Sequence, residues 1–348
     1  MFNQITSYEN FLKAYFKTRK CRRFKPNFQR MEINYESILS QLQWKLKNHL
    51  YYPKPYTKFI VFEPKKRKVA APNCQDRIVH HAIINIIGPV FEKIFINHSY
   101  ACRKDKGGFA VKSELTTVYQ AIFQKHPKFY ALKCDIKSYF ASINHQILIL
   151  LLKRTIKCQE TINLLKKVID SYHETPNVGI PIGNLTSQLF ANIYLHPLDT
   201  FVTKMVGEKN YFRYMDDFLI LSPDKDYLIN LRVLIRGFLK YYLKLGYHPK
   251  KNNIFRADKG VDFVGYLFKP NSITLRKKTV RKFKKRHKRR LKLLKQLINQ
   301  NQLEDAQTLQ KKLLSSKNSL RGFLKGTDYQ VTSNGPIKIN GITMPKEL

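Results

Sequence analysis

The sequence predicts an α+β fold on three observations. Short alternating or continuous apolar runs, too short for helices, recur at 59–62, 129–136, 211–221 and 261–268. Longer stretches with apolar residues at helical spacing separate them. From residue 276 the composition changes to a strongly basic helical pattern. A chain of 348 residues, 43% of them apolar, can hold two or three structural units around a sizeable core. The formal net charge of +40 works against compactness unless a polyanion neutralises it, so nucleic acid is the leading partner class. No stretch is apolar enough to span a membrane, and MFNQITSYENF lacks the basic start and apolar run of a secretory leader. Five scattered cysteines (Cys21, Cys74, Cys102, Cys134, Cys158), without CxxC spacing, read as reduced thiols of a cytoplasmic protein.

Residues 1–50 read as helical, with Phe11, Leu12, Tyr15 and Phe16, then the basic block KTRKCRRFK, then Ile38, Leu39, Leu42, Leu46 and Leu50. From Tyr51, prolines at 53, 55, 64 and 72 frame the run Phe59-Ile60-Val61-Phe62, a hairpin whose turn carries Lys65, Lys66, Arg67 and Lys68. Basic side chains on a rigid tip suit a triphosphate, Arg donating in fork geometry; a solvated turn accounts for them equally well. DRIVHHAIINIIGPVFEKIF (76–95) is an amphipathic helix, on which His80 and His81 read as surface residues rather than metal ligands. ACRKDKGGFAV (101–111) is a basic loop. In FYALKCDIKSYFASI (129–143), Tyr130, Leu132, Cys134 and Ile136 alternate with Phe129, Ala131, Lys133 and Asp135, as in a strand with two faces. Asp135 then sits at the strand end, as a metal carboxylate or a helix N-cap. Phe140 follows five residues later.

Helical residues 145–170 lead to the loop HETPNVGIPIGN, where Asn184 can cap a helix with Leu185, Leu189, Ile193 and Leu198 on its apolar face. YFRYMDDFLIL (211–221) reads as two buried strands joined by a tight turn with Asp216 and Asp217 at the tip. Adjacent carboxylates repel and burial raises their pKa values, so such a pair wants a cation, magnesium being the usual occupant. A helix (226–245), LGYHPKKNNIF and the strand-like VDFVGYLF close the core. RKKTVRKFKKRHKRRLKLLK (276–295) has thirteen Lys or Arg in twenty positions, with Val280, Phe283, His287, Leu291 and Leu294 on one stripe. That helix packs by its stripe and offers basic faces to phosphates. A second helix (303–314) and a third around Leu320 and Phe323 complete a small helical unit, and the tail 326–348 is polar.

The order of these stretches resembles a reverse transcriptase from about residue 10 to residue 325. KKRKVAAP and DRIV are similar to the family's fingers motifs, LKCDIKSYFASI to its first metal motif, and GIPIGNLTSQLFANIYLHPLD to its template-positioning loop and helix. FRYMDDF resembles the YxDD metal motif, PKKNNI the lysine motif, and DFVGYLF the primer grip. Most of the family has a PQG-type loop with a later SP, where this chain has Pro181, Ile182, Gly183 and Asn184, then Ser187 and Gln188. That pattern, with the chain ending soon after the basic helices, resembles the reverse transcriptase of a diversity-generating retroelement.

The resemblance implies a right-hand polymerase: a basic N-terminal segment (1–50), fingers (51–128), a palm with an antiparallel sheet (129–270, helical insertion about 145–172), a helical thumb (271–325) and a tail (326–348). It implies two magnesium ions roughly 3.5–4 Å apart, held by Asp135, Ile136, Asp216 and Asp217, with the three aspartates catalytic. Lys65, Lys66 and Arg67 would meet the incoming nucleotide, and Lys251 (or Lys250) would serve as acid to pyrophosphate. Phe140 would be the sugar gate favouring deoxynucleotides. Phe263, Val264, Gly265 and Tyr266 would be the primer grip, and Arg281, Lys284, Lys285 and Lys288 would face nucleic acid. Implied partners are template RNA, the primer or cDNA, deoxynucleoside triphosphates and a small oligomeric accessory protein, with no membrane. Error-prone copying at adenines is implied in the same way. Two other classes stand beside this one: an intron, retron-like or defence reverse transcriptase, and a catalytically vestigial RNA-binding scaffold.

Overall fold

The computed structural model describes residues 1–62, 66–249, 251–325 and 327, and the backbone of 338–339 and 342–343. Four helices open the chain: α1 (Phe2–Ile5), α2 (Tyr8–Arg19), α3 (Pro26–Ile33) and α4 (Tyr35–Lys47). The expected hairpin follows as β1 (Thr57–Val61) and β2 (Arg67–Ala71), paired antiparallel from Thr57 with Ala71 to Val61 with Arg67. Next come α5 (Cys74–Glu92), α6 (Gly108–Lys125), β3 (Tyr130–Asp135), α7 (His145–Thr155), α8 (Gln159–Asp170) and α9 (Leu185–Thr200). The remaining elements are β4 (Tyr211–Tyr214), β5 (Asp217–Ser222), α10 (Lys225–Tyr242), β6 (Asn253–Arg256), β7 (Val261–Phe263), β8 (Tyr266–Lys269), β9 (Ser272–Leu275), α11 (Lys277–Asn299) and α12 (Leu303–Leu324). A two-residue pair, Lys338–Ile339 with Ile342–Thr343, ends the described chain. One sheet has the strand order β4-β5-β3-β6, a second β7-β8-β9. Among the described residues, no helix is long and apolar enough to cross a membrane.

Two compact units emerge, the first comprising 1–105, 133–218 and 229–253. Three of its helices, α2, α5 and α7, start where a side chain takes an orphan backbone N–H: Ser7 accepts from Asn10, Asn73 from Asp76 and Asn144 from Ile147. Helix α5 packs on both α2 and α9, burying Ile78, Val79, Ala82, Ile83 and Ile87. Because it is covered on two sides, His80 is 1% exposed, with neither ring nitrogen hydrogen-bonded to a described residue. The surface position expected for His80 is therefore wrong. Asn184 stands at the N-cap of α9 as expected but makes no capping bond; its Nδ2 donates to Tyr56 Oη at 3.1 Å.

The second unit comprises 106–132, 219–228 and 254–348. Here α6, not anticipated from the sequence, buries Val111, Leu115 and Tyr119, and the Tyr119 hydroxyl donates to the Ala257 carbonyl at 2.6 Å. The single strand expected at 261–268 is a hairpin, β7–β8. Val264 (φ 47°) and Gly265 (φ 87°) form its turn, as a tight hairpin requires. Helix α12 runs unbroken where two shorter helices were expected, because its apolar positions keep one face against α11. Leu294, Ala306 and Leu313 form the seam, with Leu291, Leu297 and Leu309 around it. Phe323, near the end of α12, stacks on Tyr266 with ring centroids 4.7 Å apart.

Candidate active site

The YMDD stretch forms the tight turn its sequence predicts. Strand β4 ends at Tyr214, β5 starts at Asp217, and Met215 turns the chain with φ 60°, a left-handed conformation disfavoured for a residue with a Cβ. Asp216 is at the tip, and its carbonyl accepts from Ile136 N–H at 3.3 Å, which brings the end of β3 beside the turn. Asp135 is laced to the segment 247–252. Its N–H donates to Asn252 Oδ1 at 3.1 Å, its carbonyl accepts from His248 N–H at 2.8 Å, and its Oδ2 accepts from Lys251 Nζ at 2.6 Å. The second lysine of PKKNNI therefore meets the aspartate of LKCDIKSYFASI. Lys65 and Lys250 lie outside the described residues.

The electrostatics of the three aspartates are those of a site built for positive charge. Burial pushes the Asp216 carboxyl above its ordinary pKa; the charge of Asp135 adds to this, and Lys251 and Arg67 oppose it. Asp217 is pushed up to about 6, chiefly by burial, with Asp135 and Asp216 adding to the shift and Lys133 opposing it from 3.8 Å. Its Oδ1 is buried and accepts no hydrogen bond from any described residue. A buried carboxylate oxygen without a donor, among two others that repel it, fits a divalent cation. Among the described residues no three His, Cys, Asp or Glu side chains converge as a ready-made cation cage.

The loop 179–184 is pinned from two sides. Gly179 N–H donates to the Ile143 carbonyl at 2.8 Å, and Ile180 N–H to the Phe140 carbonyl at 2.9 Å. On the other side the Ile182 carbonyl accepts from Ala70 N–H at 2.9 Å. Gly183 (φ 122°) passes so close to β2 that a Cβ would stand 2.9 Å from Val69 Cγ1 and 3.1 Å from the Ala70 carbonyl oxygen. No other residue fits there without a shift. Pro181, Asn184 and Ser187 are buried, Ile182 is half-buried, and Gly183 and Gln188 are exposed. Phe140 is half-buried against Tyr139, with ring centroids 5.7 Å apart, and Lys66 and Arg67 are exposed.

Other candidates belong to the second unit. Phe263 and Tyr266 are buried on either side of the Val264-Gly265 turn. On α11, Arg281, Lys285 and Lys288 are exposed, away from the buried stripe of Val280, Phe283 and Leu294, and Lys284, bordering that stripe, is half-buried.

Sequence reasoning missed Arg213, which is fully buried and bonded through both Nε and Nη2 to Asp199 at 2.6 Å. The signal was present: an arginine inside YFRY and an aspartate inside an apolar helix are both rarely buried unless paired.

Residues 52–268 match the family model described as reverse transcriptase (RNA-dependent DNA polymerase). Group II intron-encoded protein LtrA of Lactococcus lactis subsp. cremoris is 28% identical over 180 residues, 49% of this chain and 29% of that protein. Protein YkfC of Escherichia coli (strain K12) is 26% identical over 244 residues, 58% of this chain and 63% of the relative. An uncharacterized 91 kDa protein in the cob intron of Schizosaccharomyces pombe is 29% identical over 152 residues, and the chain spans only 18% of its length. Among solved structures, telomerase from Candida albicans in complex with the TWJ fragment of telomeric RNA aligns with a TM-score of 0.50 at 12% identity. That alignment covers 85% of this chain and 62% of the telomerase, and it shows the right-hand polymerase fold. With a family model covering well over half of its length, the chain belongs to the reverse transcriptase family.

Proposed function

We propose that this chain is an RNA-directed DNA polymerase that copies a template RNA into cDNA for a diversity-generating retroelement. The observation that carries the polymerase reading is the meeting of Asp135 with the Met215-Asp216 turn, with Lys251 and the charge of Arg67 facing the same carboxylates. Asp135, Asp216 and Asp217, with the Ile136 carbonyl, would hold magnesium ions. Bound there, the ions would supply charge neutralisation at the primer 3′-oxygen and at the leaving pyrophosphate. Arg67 and Lys66 would bind the triphosphate, Arg67 donating in fork geometry to phosphate oxygens. Lys251 Nζ carries a proton within reach of the site and can give it to the leaving pyrophosphate. Phe140, beside the loop 179–184, would exclude a ribose 2′-hydroxyl. Residues 51–128 would be the fingers, 129–270 the palm and 271–325 the thumb. Template RNA, primer and a small oligomeric accessory protein would be the partners.

Extension of a DNA primer on an RNA template, with deoxynucleotides and magnesium, tests this reading. Asp216→Ala should abolish synthesis and leave RNA binding nearly unchanged, because it removes a metal ligand and spares the basic surfaces that meet phosphate. Extension at near wild-type rate by that variant would place the active site elsewhere.

The retroelement assignment is supported by the loop. Where most of the family has Gln, Ile182 offers no side-chain donor or acceptor to the template, and its carbonyl is already taken by Ala70 N–H. Losing one neutral hydrogen bond costs about 0.5–1.5 kcal/mol net, enough for a several-fold loss of discrimination. Sequencing cDNA made by Ile182→Gln and by wild type measures this; a stable, active variant with an unchanged error frequency would remove Ile182 from the account. The similarity to a group II intron-encoded protein favours a second reading, an intron reverse transcriptase. Accurate wild-type cDNA, without an excess of errors at template adenines, would select it.

A further inference from the structure

We infer that Arg213 is a positioning residue for Asp216, acting through the peptide that precedes it; this rests on the polymerase reading above. Arg213 is fully buried in β4, next in sequence to buried Phe212 and half-buried Tyr214. A guanidinium in such a place must have its donors satisfied. Nε and Nη2 donate to Oδ1 and Oδ2 of Asp199, each at 2.6 Å, and the Tyr211 hydroxyl donates to the same Oδ1 at 2.8 Å. This leaves Nη1 as the arm that is not spent on the ion pair. It donates to Asn192 Oδ1 and to the Met215 carbonyl, both at 3.1 Å. Asn192 is fixed in turn, its Nδ2 donating to the Ala101 carbonyl at 2.9 Å. Asp199 and Asn192 both project from α9, so one rigid helix holds the guanidinium while its remaining arm reaches the turn.

The bond to Met215 matters because of where that carbonyl is. Met215 has φ 60°, and a residue with a Cβ stays in that region when its surroundings over-determine it. Fixing its carbonyl fixes the plane of the peptide entering Asp216, and with it the direction of the Asp216 side chain. On the far side, the Asp216 carbonyl is held by Ile136 N–H at 3.3 Å. Asp216 is thus bracketed by two anchored peptides. Ile136 anchors the second and Arg213 the first. A buried ion pair serving stability alone would need Asp199 but not Met215.

Arg213→Lys separates the two roles, since one ammonium can pair with Asp199 but cannot also span to Met215. The full chain would be compared with wild type in thermal melting, primed-RNA affinity, single-turnover deoxynucleotide incorporation and Mn2+ affinity by electron paramagnetic resonance. The melting temperature should stay near wild type and primed-RNA affinity within about twofold, while incorporation falls by about 10²-fold, the scale of a small misplacement at the reacting atoms. Mn2+ should bind several-fold more weakly. The double change R213Q/D199N removes both charges together and leaves no uncompensated ion, so it tests the same point if the lysine variant does not fold. A folded variant of either kind with wild-type incorporation and Mn2+ affinity would overturn the inference. A rate that falls only in step with melting and binding would also overturn it, marking Arg213 as a core ion pair. If wild type itself extends no primer, the polymerase reading fails, and the Mn2+ measurement alone decides the role of Arg213.

Discussion

Lys251 places its Nζ 2.6 Å from Oδ2 of Asp135, joining residues 116 apart in sequence. The lysine is 40% exposed at its side chain and the aspartate 20%, so the pair lies at the mouth of the site rather than in the core. An ion pair that open contributes little to stability, and its consequence is chemical. It keeps Lys251 Nζ beside the Asp135 carboxylate, where the proposed mechanism would need a proton donor for the leaving group.

Lys251→Ala should therefore slow single-turnover incorporation by about 10²-fold or more, the usual contribution of a positioned acid. Primed-RNA affinity and melting temperature should stay near wild type. Pre-steady-state quench-flow measures the rate, and an unchanged value would assign the proton to another donor.

If Phe140 is the proposed sugar gate, Phe140→Ala should admit ribonucleotides, because it would open space beside the 2′-carbon without touching a carboxylate. The backbone at Phe140 will hold, since its carbonyl still accepts from Ile180 N–H. The ratio of ribonucleotide to deoxynucleotide incorporation is the measurement; an unaltered ratio would leave Phe140 as packing for Tyr139.

Neutralising Arg281, Lys285 and Lys288, all exposed on α11, should weaken nucleic-acid binding uniformly across sequences. The slope of log affinity against log salt should become shallower by about 0.7–0.9 for each phosphate that the protein no longer neutralises. Fluorescence anisotropy across a salt series checks this. A wild-type slope would mean that the basic face of α11 meets something other than phosphate.

Acid should destabilise the first unit through His80. Burial lowers its pKa to about 3 from an ordinary value of 6.5, with His81 and Arg77 adding to the shift. Between those values the unfolded chain binds a proton that the folded chain refuses. Stability must then fall as pH drops below 6.5 and keep falling toward 3, by at most about 1.4 kcal/mol per pH unit. His81, lowered to about 4, adds a second loss of the same sign. His80→Leu should flatten the decline without abolishing it, as read by melting temperature from pH 7 to pH 4.5. A variant with the wild-type pH profile would show that His80 takes up its proton in the folded state.

What the sequence determined by itself was whatever a few neighbouring residues decide. The β1–β2 hairpin, the turn at Met215-Asp216 and the buried stripe of α11 all follow from alternation, turn chemistry or helical spacing within about ten residues. The identity and order of the motifs were equally local, so the family was legible, and so was each candidate carboxylate. Tertiary structure decided what met what. Nothing near Lys251 in the chain points to Asp135, and nothing near Arg213 points to Asp199 on α9. His80 reads as a surface residue until α2 and α9 are seen to cover α5 from two sides. Asn184 holds the cap position its sequence predicts but makes no capping bond, and its amide goes to Tyr56, 128 residues away. Local propensity sets the energy of a segment alone in water, whereas burial and partnership are set by segments distant in sequence. A buried charge or an unsatisfied amide outweighs the local preference, and those terms exist only once the chain has folded.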